Sequence, residues 1–374
     1  MDFHRKIRIL QFPLAASKGG VTQYVLNLWK SINKNIIQFD FLSFNSKLDF
    51  EEELLKEGCI IHHISCYPEV NKERFVAEFS AVLRYRYDVI ELHTGHWKST
   101  IMEEMAKKYG GCKVIIHAHG TGIVADLSLQ EMKKTEEKHY RIRDMIDDTL
   151  ADDFWACSKE AADWLFGDKV PREKITIINN TIETSLFRYN KEVRCQKRQK
   201  LSLTDKYVIG HVGRLEREKN HKFILDIFAK VHKKQPQSLL LLVGDGSYRE
   251  KIEKQIAEYG IEDSVILTGK VENVSEYLQI MDAFVFPSLF EGFGLALLEA
   301  QCAGLWCVGS TNVPEEVFVT EYAKRVSLDE PDQWIQILDK IAEGYDRKSQ
   351  DVLIKEKGYD TETHIRKLEK MYME

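Results

Sequence analysis

Short apolar runs alternate with amphipathic stretches along the whole chain, in two successive series. The first opens with Ile7-Arg-Ile-Leu-Gln-Phe, passes a Gly19-Gly20 pair and enters the helical-period run 21–30. Further apolar runs follow at 39–42, 59–64, 89–92, 114–118 and 154–156. The second begins with Tyr207-Val-Ile-Gly-His-Val and repeats the scheme at 239–243, 264–268, 283–286 and 306–308. Short apolar strands alternating with helices predict parallel sheets covered by helices on both faces. Between the series, 189–206 is charged, lacks apolar periodicity and reads as a linker. The expectation is an α/β chain of two doubly wound, Rossmann-like domains, 1–188 and 207–359, whose strand-end loops face a central cleft.

Composition agrees with two domains, since 374 residues exceed what one hydrophobic core usually holds. A net charge of −6, spread along the chain, argues against nucleic acid as a partner. The seven cysteines are scattered singly with no C-x-x-C, which favours a reduced, cytoplasmic protein. The first ten residues carry charges throughout and read as no signal peptide. The stretch 283–309 is apolar, but Pro287, Glu291, Glu299 and its glycines make it a strand, turn and helix rather than a membrane span. Basic residues Arg84, Arg86, Lys107 and Lys108 are interleaved with acidic ones and form no clean basic face.

The densest chemistry lies in Phe286-Pro-Ser-Leu-Phe-Glu-Gly-Phe-Gly-Leu-Ala-Leu-Leu-Glu-Ala300. Gly292 and Gly294 permit a close backbone approach to a ligand. The amides of Phe293, Gly294 and Leu295 would be free donors at a helix start, where the dipole favours an anion such as phosphate. Glu291 before the helix and Glu299 within it suit the hydroxyls of an attached sugar or ribose. The plain alternative is a capped core helix with two glutamates facing water. Arg214 and Lys219 follow the strand run ending at 212–213, and two cations there would neutralise a departing diphosphate. Solvated surface charge is the competing reading. There is no Asp-x-Asp pair to bridge a metal and a diphosphate, so no metal is expected.

Gly244-Asp-Gly246 lacks the third glycine of a dinucleotide fingerprint, because position 249 is Arg. It reads as a tight strand-to-helix turn. The amides of Ser17-Lys-Gly19-Gly20 would contact a diphosphate or an acceptor, although a plain turn explains the glycines as well. His117 and His119 end a strand run, and by alternation along it they are expected to face opposite sides. That alternation parts them and makes zinc a minority reading, with His93 and His96 in a neighbouring loop.

The motif Pro-Ser-x-x-Glu-Gly-Phe-Gly-x-x-x-x-Glu-Ala-x-x-x-Gly resembles the E-x7-E signature of retaining glycosyltransferases with the GT-B fold, more narrowly glycosyltransferase family 4. His211-Val-Gly-Arg-Leu-Glu-Arg-Glu-Lys-Asn is similar to that family's Gly-Arg-Leu…Lys segment. Ala156-Cys-Ser-Lys-Glu-Ala, Ile177-Ile-Asn-Asn-Thr-Ile-Glu and the closing segment 359–372 resemble its interdomain and final regions. The likeness is strongest over 179–314, weakest over 46–90, and nearest to enzymes of capsular and exopolysaccharide biosynthesis.

The resemblance implies transfer of a hexosyl unit from a nucleotide sugar, with UDP the commonest carrier, to a saccharide or lipid-linked saccharide. No metal or other cofactor is implied. It places Arg214, Lys219 and the amides of Phe293, Gly294 and Leu295 on the diphosphate, and Glu299 on the ribose. Glu291 would orient the donor sugar near its anomeric carbon, and His119 would line the acceptor side. Gly19 and Gly20 would make donor-side contacts, and the turn Thr268-Gly-Lys-Val271 would meet the base. Residues 360–374 would return to the first domain, with peripheral attachment to the inner face of a membrane. Trp306, where proline is common, and Thr311-Asn-Val-Pro-Glu-Glu depart from the pattern at the sugar end of the site. A sugar-nucleotide epimerase of the same fold, or a non-catalytic partner subunit, are the alternatives. Such partners usually lose donor-site residues, whereas Arg214, Lys219, Glu291 and Glu299 are all present.

Overall fold

The apolar runs are strands, and every strand pairing is parallel, as a chain that returns through a helix after each strand requires. The computed structural model describes residues 5–16, 19–123 and 127–374. Its contacts divide the chain into two units, Met1–Thr181 with Thr361–Glu374, and Ile182–Asp360.

In unit 1 the strands are β1 (Ile7–Leu14), β2 (Ile37–Ser43), β3 (Ile61–His63), β4 (Val89–Thr94), β5 (Lys113–Ala118), β6 (Asp153–Ala156) and β7 (Ile175–Ile177). They form one sheet in the order β3-β2-β1-β4-β5-β6-β7. Unit 2 contains β8 (Tyr207–Val212), β9 (Ser238–Val243), β10 (Val265–Leu267), β11 (Ala283–Phe286), β12 (Trp306–Ser310) and β13 (Ala323–Val326), in the order β10-β9-β8-β11-β12-β13. The run 59–64 narrows to β3. Strands β7 and β13 were not anticipated, since both are short and lie at sheet edges. In β13 the central Lys324 and Arg325 are exposed, which an edge strand tolerates.

The first strand of each unit lies beside the fourth, so in both sheets the strand order reverses between them: β1 beside β4, and β8 beside β11. Connections leave such a point in opposite directions and open a crevice at the strand carboxyl ends. Most of the candidate residues sit in the loops that follow these strands.

The helix Thr361–Met373 belongs to unit 1. Its Ile365, Leu368 and Tyr372 are buried in the same core as Tyr24, Trp29, Phe39 and Trp155. Full burial of such side chains contributes about 1.5–3 kcal/mol each.

The segment expected to be a linker is instead mostly a helix, Lys191–Lys200, capped by the Asn190 side chain. It docks within unit 2 through guanidinium groups rather than an apolar stripe. Arg194 reaches the carbonyls of Gln279 and Met281 at 2.8 and 2.7 Å, and Arg198 that of Ile280 at 2.6 Å. Both arginines also pair with Asp282, which accepts from the Val208 amide of β8 at 2.8 Å. Polar docking leaves no hydrophobic period to read, which is why the sequence pattern suggested a linker.

Candidate active site

Beyond β8 the backbone turns at Gly213, where a Cβ would stand 2.9 Å from His211 Nε2 and 3.4 Å from the Lys219 side chain. The absence of that Cβ lets the Lys219 stem pack against the strand end. Lys219 closes the short turn Arg217–Lys219, and Asn220 takes a left-handed conformation (φ 55°, ψ 48°) into the helix His221–Lys234.

Two hydrogen bonds fasten this turn to the loop after β11. The Leu289 amide donates to the Glu218 carbonyl at 2.8 Å, and the Asn220 side chain donates to the Pro287 carbonyl at 3.2 Å. Across that seam the Lys219 ammonium pairs with the Glu291 carboxylate, their side chains only 14% and 13% exposed. The Ser288 hydroxyl donates to the same Glu291 oxygen at 2.7 Å, and Lys219 Nζ lies 5.0 Å from the centre of the Phe286 ring. Ser288 is itself buried, and its carbonyl accepts from the Ser310 hydroxyl at 2.6 Å. Arg214 is half-exposed and held by Glu218 at 2.8 Å.

Gly294 opens the helix Leu295–Cys302 at φ +106°, with the Phe286 ring 3.3 Å and Val313 3.4 Å from where a Cβ would be. Only glycine fits that conformation in that space. Phe293 is buried, its ring 5.8 Å from that of Tyr359 between centres. The amides of Phe293, Gly294 and Leu295 find no acceptor among the described residues. Free amides, the helix dipole and the two cations make this end of β8 and β11 a place for an anion.

Glu299 lies in the second turn of that helix, half-buried, and burial pushes its carboxyl up to about 8. A protonated carboxyl both donates and accepts, which matches a hydroxyl pair. Val271 is half-buried in the turn after β10. That turn bridges to Gly244 (amide to Gly269 carbonyl, 3.2 Å), and the Gly244–Gly246 turn in turn backs onto Gly213–Leu215, with the Leu215 amide donating to Asp245 at 3.0 Å. The base-side candidate thus joins the charged group at one remove, along a continuous backbone rim.

In unit 1, Gly19 caps and Gly20 opens the helix Gly20–Ser31, with open space where either Cβ would project. Ser17 and Lys18 of the same predicted loop lie outside the described residues.

The histidines depart from expectation. His117 and His119 do not face opposite sides: their ring centres are 4.0 Å apart. Side chains along a strand repeat every second residue, so positions 117 and 119 share a face, and the chain keeps that sense one residue past the end of β5 at Ala118; the expected separation misapplied the alternation. The geometric ground for setting zinc aside therefore fails. His93 pairs with His117 in the β4–β5 register and contacts His119 (Nδ1···Nε2, 2.8 Å). Behind the rings, Glu91 bonds His117 Nδ1 at 2.8 Å, and Gln11 bridges Glu91 at 3.0 Å and His93 Nε2 at 2.6 Å. The Tyr372 hydroxyl donates to Glu91, and Tyr24 lies 5.4 Å from the His117 ring, edge-on. Burial pushes His117 down to about 3 and holds His93 and His119 well below the ordinary histidine value, so all three are neutral. Sequence reasoning missed Gln11, Glu91 and Tyr372 here, and Ser288, Glu218 and Asn220 in unit 2. The one available signal was that Gln11 and Glu91 are polar residues inside apolar strand runs.

Comparison with known proteins followed the two units. A family model described as Glycosyltransferase Family 4 matches residues 18–186, and one described as Glycosyl transferases group 1 matches 193–361. A putative glycosyltransferase of Bacillus subtilis, EpsF, is 26% identical over 98% of this chain and 96% of its own length. An Escherichia coli UDP-Gal:alpha-D-GlcNAc-diphosphoundecaprenol alpha-1,3-galactosyltransferase is 23% identical over 82% of this chain and 80% of its own. The crystal structure of Anabaena HepE in complex with UDP-glucose superposes with a TM-score of 0.78 at 18% identity, covering 98% of this chain and 99% of that one.

Proposed function

The chain belongs to glycosyltransferase family 4 with the GT-B fold, and from that premise we propose that it moves a hexosyl unit from a UDP-sugar to a saccharide or lipid-linked saccharide, retaining configuration and without metal. The observation that carries the reading is the buried Lys219–Glu291 pair beside the free amides of Phe293, Gly294 and Leu295. A diphosphate entering there meets Lys219, Arg214 and those amides, and negative charge growing on the leaving group is met by donors already in position. Lys219 then shares its charge between the phosphate and Glu291, which leaves the carboxylate to orient hydroxyls of the donor sugar. Glu299, held neutral, takes the ribose, and the rim at Val271 takes the base. In unit 1 the neutral His119 imidazole receives the acceptor hydroxyl, with Gly19 and Gly20 offering open backbone.

The names of the E. coli relative and of the HepE complex support a UDP-linked donor, and the former supports a lipid-linked acceptor. Surface-polysaccharide assembly at the inner face of the cell membrane, by a cytoplasmic protein attached peripherally, is the setting that goes with this reading. No helix among the described residues is long and apolar enough to cross a membrane.

A thermal-shift titration with UDP, GDP and ADP in EDTA tests the donor site. A ligand that binds only the folded state adds about 2.7 kcal/mol at a hundredfold excess over its Kd. The expected result is a shift with UDP. A shift with GDP or ADP alone would replace the donor class, and no shift with any would overturn the assignment.

A further inference from the structure

The three histidines of unit 1 form a cluster whose ligand atoms all lie within 4.8 Å of one another. Nitrogens bound to one tetrahedral zinc ion at ~2.0–2.1 Å stand about 3.3 Å apart, so side-chain adjustments of about an ångström would close the set. Proximity alone is weak, but the partners behind the rings fix which nitrogens are bare. The Gln11 amide donates its Nε2–H to Glu91, which leaves its Oε1 facing His93 Nε2. His93 must therefore carry its proton on Nε2, and its Nδ1 holds a lone pair. Glu91 accepts from His117 Nδ1, so the lone pair of His117 is on Nε2. That Nε2 is fully buried and has no hydrogen-bond partner, an exception among buried polar atoms. His119 Nε2 already fills one side of the gap, donating to the bare His93 Nδ1. If the His119 proton moves to Nδ1, three lone pairs converge with no net proton released.

We propose that His93, His117 and His119 form a binding site for one divalent transition-metal ion of the zinc class, with Glu91 and Gln11 holding two of the imidazoles in the ligating tautomer. Three imidazoles and an open fourth position suit zinc, and a carboxylate on the far nitrogen of a ligand histidine orients it and raises its basicity. His119, the half-buried member, marks the side of entry. The site makes zinc an inhibitor rather than a cofactor, because the ion occupies the imidazole assigned to the acceptor. That consequence alone rests on the proposed function, whereas binding does not.

The test uses the full chain without a histidine tag, stripped with EDTA and equilibrated with zinc or cobalt(II). The expected result is one zinc per chain by elemental analysis, and visible ligand-field bands of four-coordinate cobalt. His119→Ala and His117→Asn should each weaken binding by more than the roughly 10–100-fold expected for the outer partner in Glu91→Gln. His63→Ala, at an exposed histidine elsewhere in unit 1, should leave it unchanged. Melting curves in EDTA check that each variant is folded, and because His119 lies outside the strand its variant keeps the question answerable if His117→Asn does not fold. Absence of stoichiometric zinc, or equal retention by folded His119→Ala, overturns the proposal. Neither result touches the nucleotide titration, so the two readings fail separately.

Discussion

After β8 and β11 of unit 2 an ammonium meets a carboxylate beside open amides, whereas at the ends of β4 and β5 in unit 1 three neutral imidazoles gather, His117 held from behind by Glu91 and His93 by Gln11. Both groups stand at the carboxyl ends of parallel strands, the first after β8 and β11 and the second on and just beyond β4 and β5, so fold alone does not choose the chemistry. Charge belongs where a leaving diphosphate develops it. A neutral, tautomer-defined cluster belongs where a hydroxyl, or a metal, must be received. The two sites also protect their groups differently: unit 2 ties two loops together around its ion pair, and unit 1 sinks its rings among polar residues of the sheet.

Removing Glu291 should break the comparison most severely. Glu291→Ala should lower transfer by roughly 10²–10³-fold, while the UDP-dependent thermal shift persists. Equal loss of both would assign the carboxylate to nucleotide binding instead. Arg214→Ala should weaken UDP binding by about tenfold, the value of one charge-assisted hydrogen bond at a half-exposed site. An unchanged titration would reduce that arginine to surface charge.

Acid and alkali should separate the units next. His117 has its folded value lowered from 6.5 to about 3, so its contribution to stability is lost as pH falls below 6.5 toward 3. Glu299 is raised from 4.5 to about 8, so its contribution is lost as pH rises from 4.5 through 8. Relative to wild type, His117→Asn should therefore gain ground in acid and Glu299→Gln in alkali. Each shift should be roughly 2–4 °C, the change that about 1 kcal/mol makes in units of this size. Parallel melting profiles would contradict the opposed signs. The smallest effect is the last: EDTA should leave transfer unchanged, and a loss restored by manganese would overturn the metal-free mechanism.

Legibility in the sequence followed burial. Strands sealed on both faces, such as β9, announce themselves as unbroken apolar runs, and the glycine turn at Gly294 was visible because nothing else fits there. The edge strands β7 and β13 and the arginine-docked helix Lys191–Lys200 were hidden, since their positions are held by backbone pairing and polar contacts that leave no period. In the candidate site the charged residues could be named from their motif. The Lys219–Glu291 pairing joins residues 72 apart, and no local pattern encodes it. The histidines misled for a different reason: alternation has a period of two, so residues 117 and 119 share a face, and the expectation that parted them misapplied the rule.

The helix Thr361–Met373 gives the chain an order of assembly. Unit 1 is made of two stretches of chain with unit 2 between them, so a nascent chain with residues 361–373 still inside the ribosome lacks one wall of that unit's core. The hydroxyl that Tyr372 brings to Glu91 arrives at the same moment. Unit 2, wholly contained between its two ends, is free to fold while its partner waits. A chain broken off before residue 361 would therefore carry all of unit 2 while the core of unit 1 stood open and its histidine cluster unsupported.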